Sequence, residues 1–160
     1  MLNITLIVVG KIKEKYFVDA IDEYSKRLKR YCQLNIIEVK DEPTPDNPSE
    51  READIVLNVE GERIMSKLPK SAYIIPLCIE GKRMTSTGFS GLIEKTASNG
   101  NSEIVFIIGG SMGLCEKIKG LADFKLSFSD MTFPHQLMRV ILAEQVYRAF
   151  MINSGSAYHK

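Results

Sequence analysis

The sequence has little net charge, few cysteines and no long apolar run, and each scarcity excludes a class of protein. Its 21 Lys and Arg residues nearly balance 20 Asp and Glu residues, so the formal charge is +1 and no overall field attracts nucleic acid. Any nucleic-acid binding must therefore depend on local patches and shape. The three cysteines are odd in number, scattered and without metal-ligand spacing, which favours a reducing compartment over a disulfide framework.

Targeting and membrane-spanning segments are also missing from the pattern. No apolar run approaches the length of a membrane span, and the N-terminus lacks the basic flank and cleavage site of a signal peptide. We therefore expect a cytoplasmic protein with neither a membrane partner nor a metal. A length of 160 residues suits one domain, residues 1–160.

Branched apolar runs alternate with helical patterns along the chain, which predicts an α/β fold with a mostly parallel sheet. Ser49, followed by acidic residues, is the expected N-cap of the second helix, and Thr85 or Ser86 that of the third. Five helical segments separate or follow the strands, the fourth at 114–120. The expected strands are 2–9, 34–39, 72–79, 103–108 and 124–128.

The last predicted helix, from about Pro134 to Asn153, is apolar nearly all round. Such a helix is buried on several sides, and in a chain this small a second subunit is a plausible cover for the extra side, which predicts a homodimer. Glu144 and Arg148 lie four residues apart and can pair on one face.

Two loops follow strands of the predicted sheet, where parallel α/β proteins bind ligands. Gly109 and Gly110 end a buried strand, although GGSMG has the spacing of neither a dinucleotide fingerprint nor a phosphate loop, and a simple tight turn is equally compatible. In the loop 128–133, exposed backbone groups could bind the edge of a heterocycle such as adenine while Met131 and Phe133 cover its faces. The alternative is an N-capping turn with both side chains in the core.

Four motifs carry a resemblance to a known family: LCIEGK, FIIGGSMG, LSFSDMTFPHQLMRVILAEQVYRAF and the terminal AYHK. With these motifs the whole chain resembles the small SPOUT methyltransferases that methylate a pseudouridine in 23S ribosomal RNA. The resemblance implies a single SPOUT methyltransferase domain over residues 1–160. It further implies a Rossmann-like sheet with helices on both faces, a C-terminal trefoil knot that forms an S-adenosylmethionine site, and an obligate homodimer.

The same resemblance implies which residues bind the cofactor, and the chain departs from the family pattern at two positions. The family usually has an acidic residue at the position of Cys78 and a basic one at that of Asp130. Because backbone groups do much of the recognition, we expect cofactor binding to survive both changes, and phosphate attraction near Asp130 to weaken. The implied cofactor-binding residues are Leu77, Gly109, Phe128, Ser129, Asp130, Met131, Thr132 and Phe133.

Methyl transfer requires an in-line nucleophile and a group that helps a uracil-type ring nitrogen to lose its proton, but no covalent nucleophile. On pattern alone the terminal residues would be frayed. The resemblance implies instead a tail that folds over the pocket, in which Tyr158 stacks on or orients the base and His159 assists deprotonation or holds the RNA. Arg139 is expected to fix a phosphate or the tail, and His135 to pack or cap.

The resemblance also implies the substrate, namely N3 of pseudouridine 1915 in the assembled ribosome. A basic cluster from Lys11 to Arg30 could contact ribosomal phosphates, although a solvated helix face explains it as well. Two other functions stay open. One is methylation of another RNA such as transfer RNA, and the other is a non-catalytic module that binds a nucleotide or the ribosome.

Overall fold

A computed structural model describes residues 1–160 and contains five strands and five helices in strict alternation. The predicted number and order of elements are confirmed. The strands are β1 (Leu2–Val9), β2 (Cys32–Val39), β3 (Tyr73–Arg83), β4 (Glu103–Ile108) and β5 (Leu126–Ser127). The helices are α1 (Lys15–Leu28), α2 (Glu50–Met65), α3 (Ser86–Ser98), α4 (Glu116–Gly120) and α5 (His135–Asn153).

The strands form one parallel sheet in the order β2-β1-β4-β3-β5, which confirms the predicted α/β class. The central strand β4 pairs with β1 and with β3, and five of its six residues are buried. Because all strands are parallel, their carboxyl ends meet at one edge of the sheet. Loops that follow β3, β4 and β5 are therefore neighbours.

Alternate residues of the central strands supply two apolar cores, one on each face of the sheet. Ile4 and Phe106 belong to the larger core, which α1, α3 and α5 cover. Ile7 and Val105 belong to the smaller core, which α2 and α4 cover. The expectation of helices on both faces is therefore confirmed. None of the helices combines the length and apolar character that crossing a bilayer requires.

The helix caps follow the sequence closely, whereas three strand lengths do not, and β2 begins two residues before its predicted start, at Cys32. The Ser49 hydroxyl accepts a hydrogen bond from Glu52 N and the Glu52 side chain accepts one from Ser49 N, which confirms the predicted cap. Thr85, not Ser86, caps α3. The prediction that β3 ends at residue 79 is wrong, because β3 runs on to Arg83, and β5 contains only Leu126–Ser127 since its pairing with β3 is interrupted by a register shift.

Helix α5 lies between α1 and α3 on the larger core. It buries Met138, Leu142, Val146 and Ala149 against the sheet, and half-exposes further apolar side chains along its length. The half-exposed apolar residues are Leu137, Val140, Ile141, Tyr147, Phe150 and Ile152. A subunit that covers them stays a prediction.

Candidate functional site

A cavity of about 340 Å³ opens at the carboxyl edge of the sheet, where β3, β4 and β5 end and α5 begins. This is the edge at which the sequence predicted a ligand site. Four segments form the walls: 77–80 from β3, 108–114 after β4, 126–133 around β5, and His135 with Met138 from α5; Lys119 completes the lining. Asp130 is absent from it. The cavity has the size and the mixed apolar and polar walls of a small-molecule site.

Gly109 allows the loop after β4 to fold back tightly against the cavity. A Cβ atom at this position would overlap the carbonyl group of Gly113, so no other residue fits without a backbone shift. Gly110 and Gly113 then form an isolated antiparallel bridge. The tight glycine turn is therefore also part of the cavity wall, although the sequence left the two as alternatives.

The loop from Phe128 to Phe133 is shaped by its own serines. The Ser127 hydroxyl donates to the Ser129 carbonyl at 3.2 Å, and the Ser129 hydroxyl accepts from Met131 N at 3.0 Å. The side chains of Met131 and Phe133 are 73% and 37% exposed while both line the cavity. The alternative that placed them in the core is therefore wrong.

Asp130 is the one member of the expected cofactor-binding set that does not line the cavity. Its carboxylate accepts a hydrogen bond from Arg83 Nη1 at 2.8 Å, and both side chains are largely exposed. This ion pair connects the loop 128–133 to the extended end of β3. The negative charge of Asp130 is therefore paired with the positive charge of Arg83.

Each of three ionisable groups on the β3 side of the cavity has a single protonation state at neutral pH. Burial raises the pKa of the Cys78 thiol, which therefore stays protonated at neutral pH. A hydrogen bond from Lys119 lowers the pKa of Glu80, and the same bond raises the pKa of Lys119. Glu80 and Lys119 thus form an ion pair that satisfies both charges.

His135 lies in the α5 wall of the cavity, half-buried. Burial lowers its pKa, the nearby cation of Arg139 lowers it further, and Asp41 opposes both effects. The imidazole is consequently neutral at pH 7. The sequence had suggested only packing or capping for this residue. Its position directly after Pro134, at a helix start that meets the strand ends, was the available signal.

Arg139 is buried beneath the end of β1 and is only 1% exposed. Its Nη1 donates to Glu38 at 2.8 Å, and its Nη2 donates to the carbonyl groups of Val9 and Gly10 at 3.0 and 2.7 Å. Arg139 was expected to fix a phosphate or the tail; within this chain its guanidinium is bound to Glu38 and to two backbone carbonyl groups instead. These contacts fasten α5 to the ends of β1 and β2.

The terminal residues pack on α5 and are not among those that line the cavity of the same chain. The Tyr158 hydroxyl donates to Glu144 at 3.1 Å, and His159 Nδ1 contacts Arg148 Nη1 at 3.1 Å. The predicted Glu144–Arg148 pair is confirmed at 2.7 Å. The arginine that holds the tail is therefore Arg148.

The fold and the cavity define a class of protein: a parallel α/β domain with a ligand pocket built from loops at the carboxyl edge of its sheet. The profile of a family described as "Predicted SPOUT methyltransferase" matches residues 2–159. The chain belongs to the SPOUT methyltransferase family, and it is a methyltransferase by that membership.

Full-length relatives agree with this assignment. The chain is 57% identical, over 99% of its length and all of the relative's, to a protein of Clostridium botulinum named "Ribosomal RNA large subunit methyltransferase H". It is 52% identical over the same shares to a protein of that name from Clostridium beijerinckii. A solved probable methylase family protein of Haemophilus influenzae shares the fold, with a TM-score of 0.54 at 10% identity over 99% of this chain and 70% of that one.

Proposed function

We propose that this protein transfers the methyl group of S-adenosylmethionine to N3 of pseudouridine 1915 in 23S ribosomal RNA within assembled ribosomes. The observation that carries the proposal is the full-length match to relatives named ribosomal RNA large subunit methyltransferase H, combined with a cavity lined by Leu77, Gly109 and the loop 128–133. The cytoplasm is the proposed place of action.

The cavity suits a nucleoside cofactor on geometric grounds. Three glycines of the loop after β4, Gly109, Gly110 and Gly113, line the cavity, so an adenine edge can approach the backbone amide and carbonyl groups there closely. Leu77, Met131 and Phe133 supply apolar cover for a flat ring. The cofactor, when bound, supplies an electrophilic methyl group.

For the nucleotide, we propose that Tyr158 stacks on or orients the base and that His159 acts on the entering RNA. Because these residues are not in the lining of their own chain's cavity, the proposal includes a homodimer in which one subunit's tail lies beside its partner's cavity. The half-exposed apolar residues of α5 supply a surface for that contact. The knot that the family resemblance implies belongs to the same proposal.

The basic side of α1 is the proposed contact with ribosomal phosphates. Lys15 and Arg27 are neutralised by Asp19 and Glu23 at 2.7 and 3.0 Å. The other exposed cations of the segment are available for phosphate: Lys11, Lys13, Lys26, Lys29 and Arg30. This local excess offsets the low net charge of the whole chain.

The test is incubation of the purified protein with methyl-labelled S-adenosylmethionine and ribosomes that lack the modification, beside free ribosomal RNA and transfer RNA. We expect label at one pseudouridine of the assembled ribosome. Label in transfer RNA would support the other-substrate alternative. Cofactor binding without label in any RNA would favour the non-catalytic module.

A further inference from the structure

The two histidines of the chain lie in different parts of the structure. His135 lines the cavity, whereas His159 packs on α5 with the tail. Arginine can only donate hydrogen bonds, so the lone pair of His159 Nδ1 is occupied by Arg148. The ring nitrogens of His135 have no hydrogen bond to another residue. Of the two histidines, only His135 therefore lines the cavity with an imidazole that has no side-chain hydrogen bond.

His135 lines the cavity and also lies near the exposed Asp41. Gly10, which adopts a positive φ of 89°, ends β1 beside His135 and Asp41. The position of a Cβ atom there is 3.9 Å from His135 Nε2 and 3.9 Å from the Cβ of the exposed Asp41. Arg139 lies four residues further along the same helix, close enough for its charge to act on His135. It is paired with Glu38.

The other ionisable groups of the cavity are unsuited to accept a proton. The thiol of Cys78 is protonated, and Glu80 is held in its ion pair with Lys119. Lys119 is a cation with no lone pair to offer. The imidazole of His135 is neutral, so a free lone pair is present at neutral pH.

We propose that His135 is the catalytic base, which takes the N3 proton of the pseudouridine, while His159 holds the RNA. This inference rests on the proposed function. Two roles were predicted for His159, assistance in deprotonation and binding of the RNA, and the inference keeps only the second. The N–H proton passes to an unprotonated ring nitrogen of His135, and the electron pair of that bond stays on N3. N3 then bonds the methyl carbon as the sulfur–carbon bond breaks with its pair on sulfur. The imidazolium releases its proton to water on the Asp41 side.

The decisive variant is His135→Gln, which keeps a polar side chain but cannot accept and carry the proton. Single-turnover methylation of ribosomes at saturating cofactor should fall about 100-fold at pH 7. The cofactor Kd, measured by calorimetry, should stay within about threefold of wild type. His159→Gln is the matched comparison; it should weaken ribosome binding and leave the dependence of the single-turnover rate on pH unchanged.

The pH profile gives a readout that a structural role would not change. The wild-type rate should fall as pH drops through the pKa of His135, which burial lowers below its ordinary value, because the neutral imidazole is the active form. The rate of His135→Gln should lack that limb and rise with pH without a plateau. A wild-type profile in an active, folded His135→Gln protein would overturn the proposal.

Asp41→Asn tests the same assignment at an exposed position outside the cavity lining. Loss of this carboxylate should lower the imidazole pKa, followed by NMR of the His135 ring, and move the acidic limb of the rate profile to lower pH by the same amount. A limb that does not follow the NMR titration of His135 would overturn the proposal, even if His135→Gln failed to fold. Wild-type protein that binds cofactor but labels no RNA would instead refute the proposed function.

Discussion

Arg148 donates a hydrogen bond from Nη1 to Nδ1 of His159 over 3.1 Å, so the penultimate residue of the chain is held on α5. The same guanidinium lies 4.8 Å above the ring of Tyr158, whose hydroxyl shares Glu144 with Arg148. The end of the chain is thus an ordered element, contrary to the fraying that its terminal position alone would predict.

Replacement of Arg148 by alanine should release the tail. The variant loses the hydrogen bond to His159, the contact with the Tyr158 ring and the ion pair with Glu144 together. We expect faster amide hydrogen exchange in residues 154–160 and a fall in methyl transfer, with the cofactor Kd unchanged. Arg51→Ala, at an exposed site on α2, is the matched control. Equal exchange in both variants would show that Arg148 does not hold the tail.

Gly109→Ala should damage cofactor binding, because the new Cβ atom overlaps the Gly113 carbonyl and forces the cavity loop to shift. A loss of about 1.4 kcal/mol in binding corresponds to a tenfold rise in Kd, and we expect at least this much by calorimetry. Gly91→Ala on α3 introduces a Cβ atom with nothing within 4 Å and should bind normally, with a gain of about 0.5–1 kcal/mol in unfolding free energy. Equal cofactor affinity in the two variants would contradict this role for Gly109.

The ends of β1 and β4 and the helix caps could be predicted from sequence because local chemistry determines them. Gly10 and Gly109 follow β1 and β4 directly, and Ser49 with Glu52 forms its cap through neighbouring atoms. The lengths of β3 and β5 depend on a register shift between the two strands, which no local pattern contains.

The same distinction between local chemistry and tertiary packing applies to the candidate site. The strand-end rule located Gly109 and the loop 128–133, but it could not assign the arginines of α5. Arg139 and Arg148 are nine residues apart, which is two and a half helical turns, so they lie on opposite faces. Which face meets the ends of β1 and β2 is decided by tertiary packing. His135 lies four residues before Arg139 and therefore on the same face of α5. For the same reason, its place in the cavity wall could not be predicted from the sequence.

Replacement of Arg139 by methionine should destabilise the fold. The change leaves the carbonyl groups of Val9 and Gly10 without their buried donor and Glu38 without its cation. We expect a loss of roughly 3 kcal/mol in unfolding free energy, measured by urea denaturation. Arg27→Met removes an exposed ion pair on α1 and should cost far less. A wild-type midpoint for the Arg139 variant would contradict this anchoring role.

Asp130→Lys should change RNA association more than stability. The Arg83–Asp130 pair is 65% and 73% exposed, so its loss should cost less than about 1 kcal/mol of unfolding free energy. A second free cation beside Arg83 should tighten ribosome binding and steepen its salt dependence by about one unit of log–log slope per added phosphate contact. Asp46→Lys, in the exposed loop before α2, controls for net charge. The same slope in both variants would show that the 130 position is remote from RNA.

Glu60→Gln should stabilise the protein at neutral pH. Glu60 is 5% exposed on α2 and accepts a hydrogen bond from Glu42 N; burial raises its pKa, and Asp41 and Glu42 add to the rise while Arg63 and that hydrogen bond oppose it. A carboxyl whose folded-state pKa exceeds the unfolded value binds its proton more tightly in the folded state. Its stabilising contribution is therefore complete at low pH and is lost as pH rises through the folded-state pKa.

Glutamine retains the acceptor for Glu42 N without the buried charge, so it avoids that loss. Urea denaturation at pH 4 and pH 7 should show a higher unfolding free energy for Glu60→Gln at pH 7 and a smaller difference from wild type at pH 4. Glu62→Gln, two residues along α2 and 69% exposed, is the matched control and should show little difference at either pH. The opposite result would be a free energy of unfolding that falls below the wild-type value at pH 7 but not at pH 4. It would mean that the carboxylate is needed in its charged form. The loop that packs against it, at Gly110, would then depend on that charge.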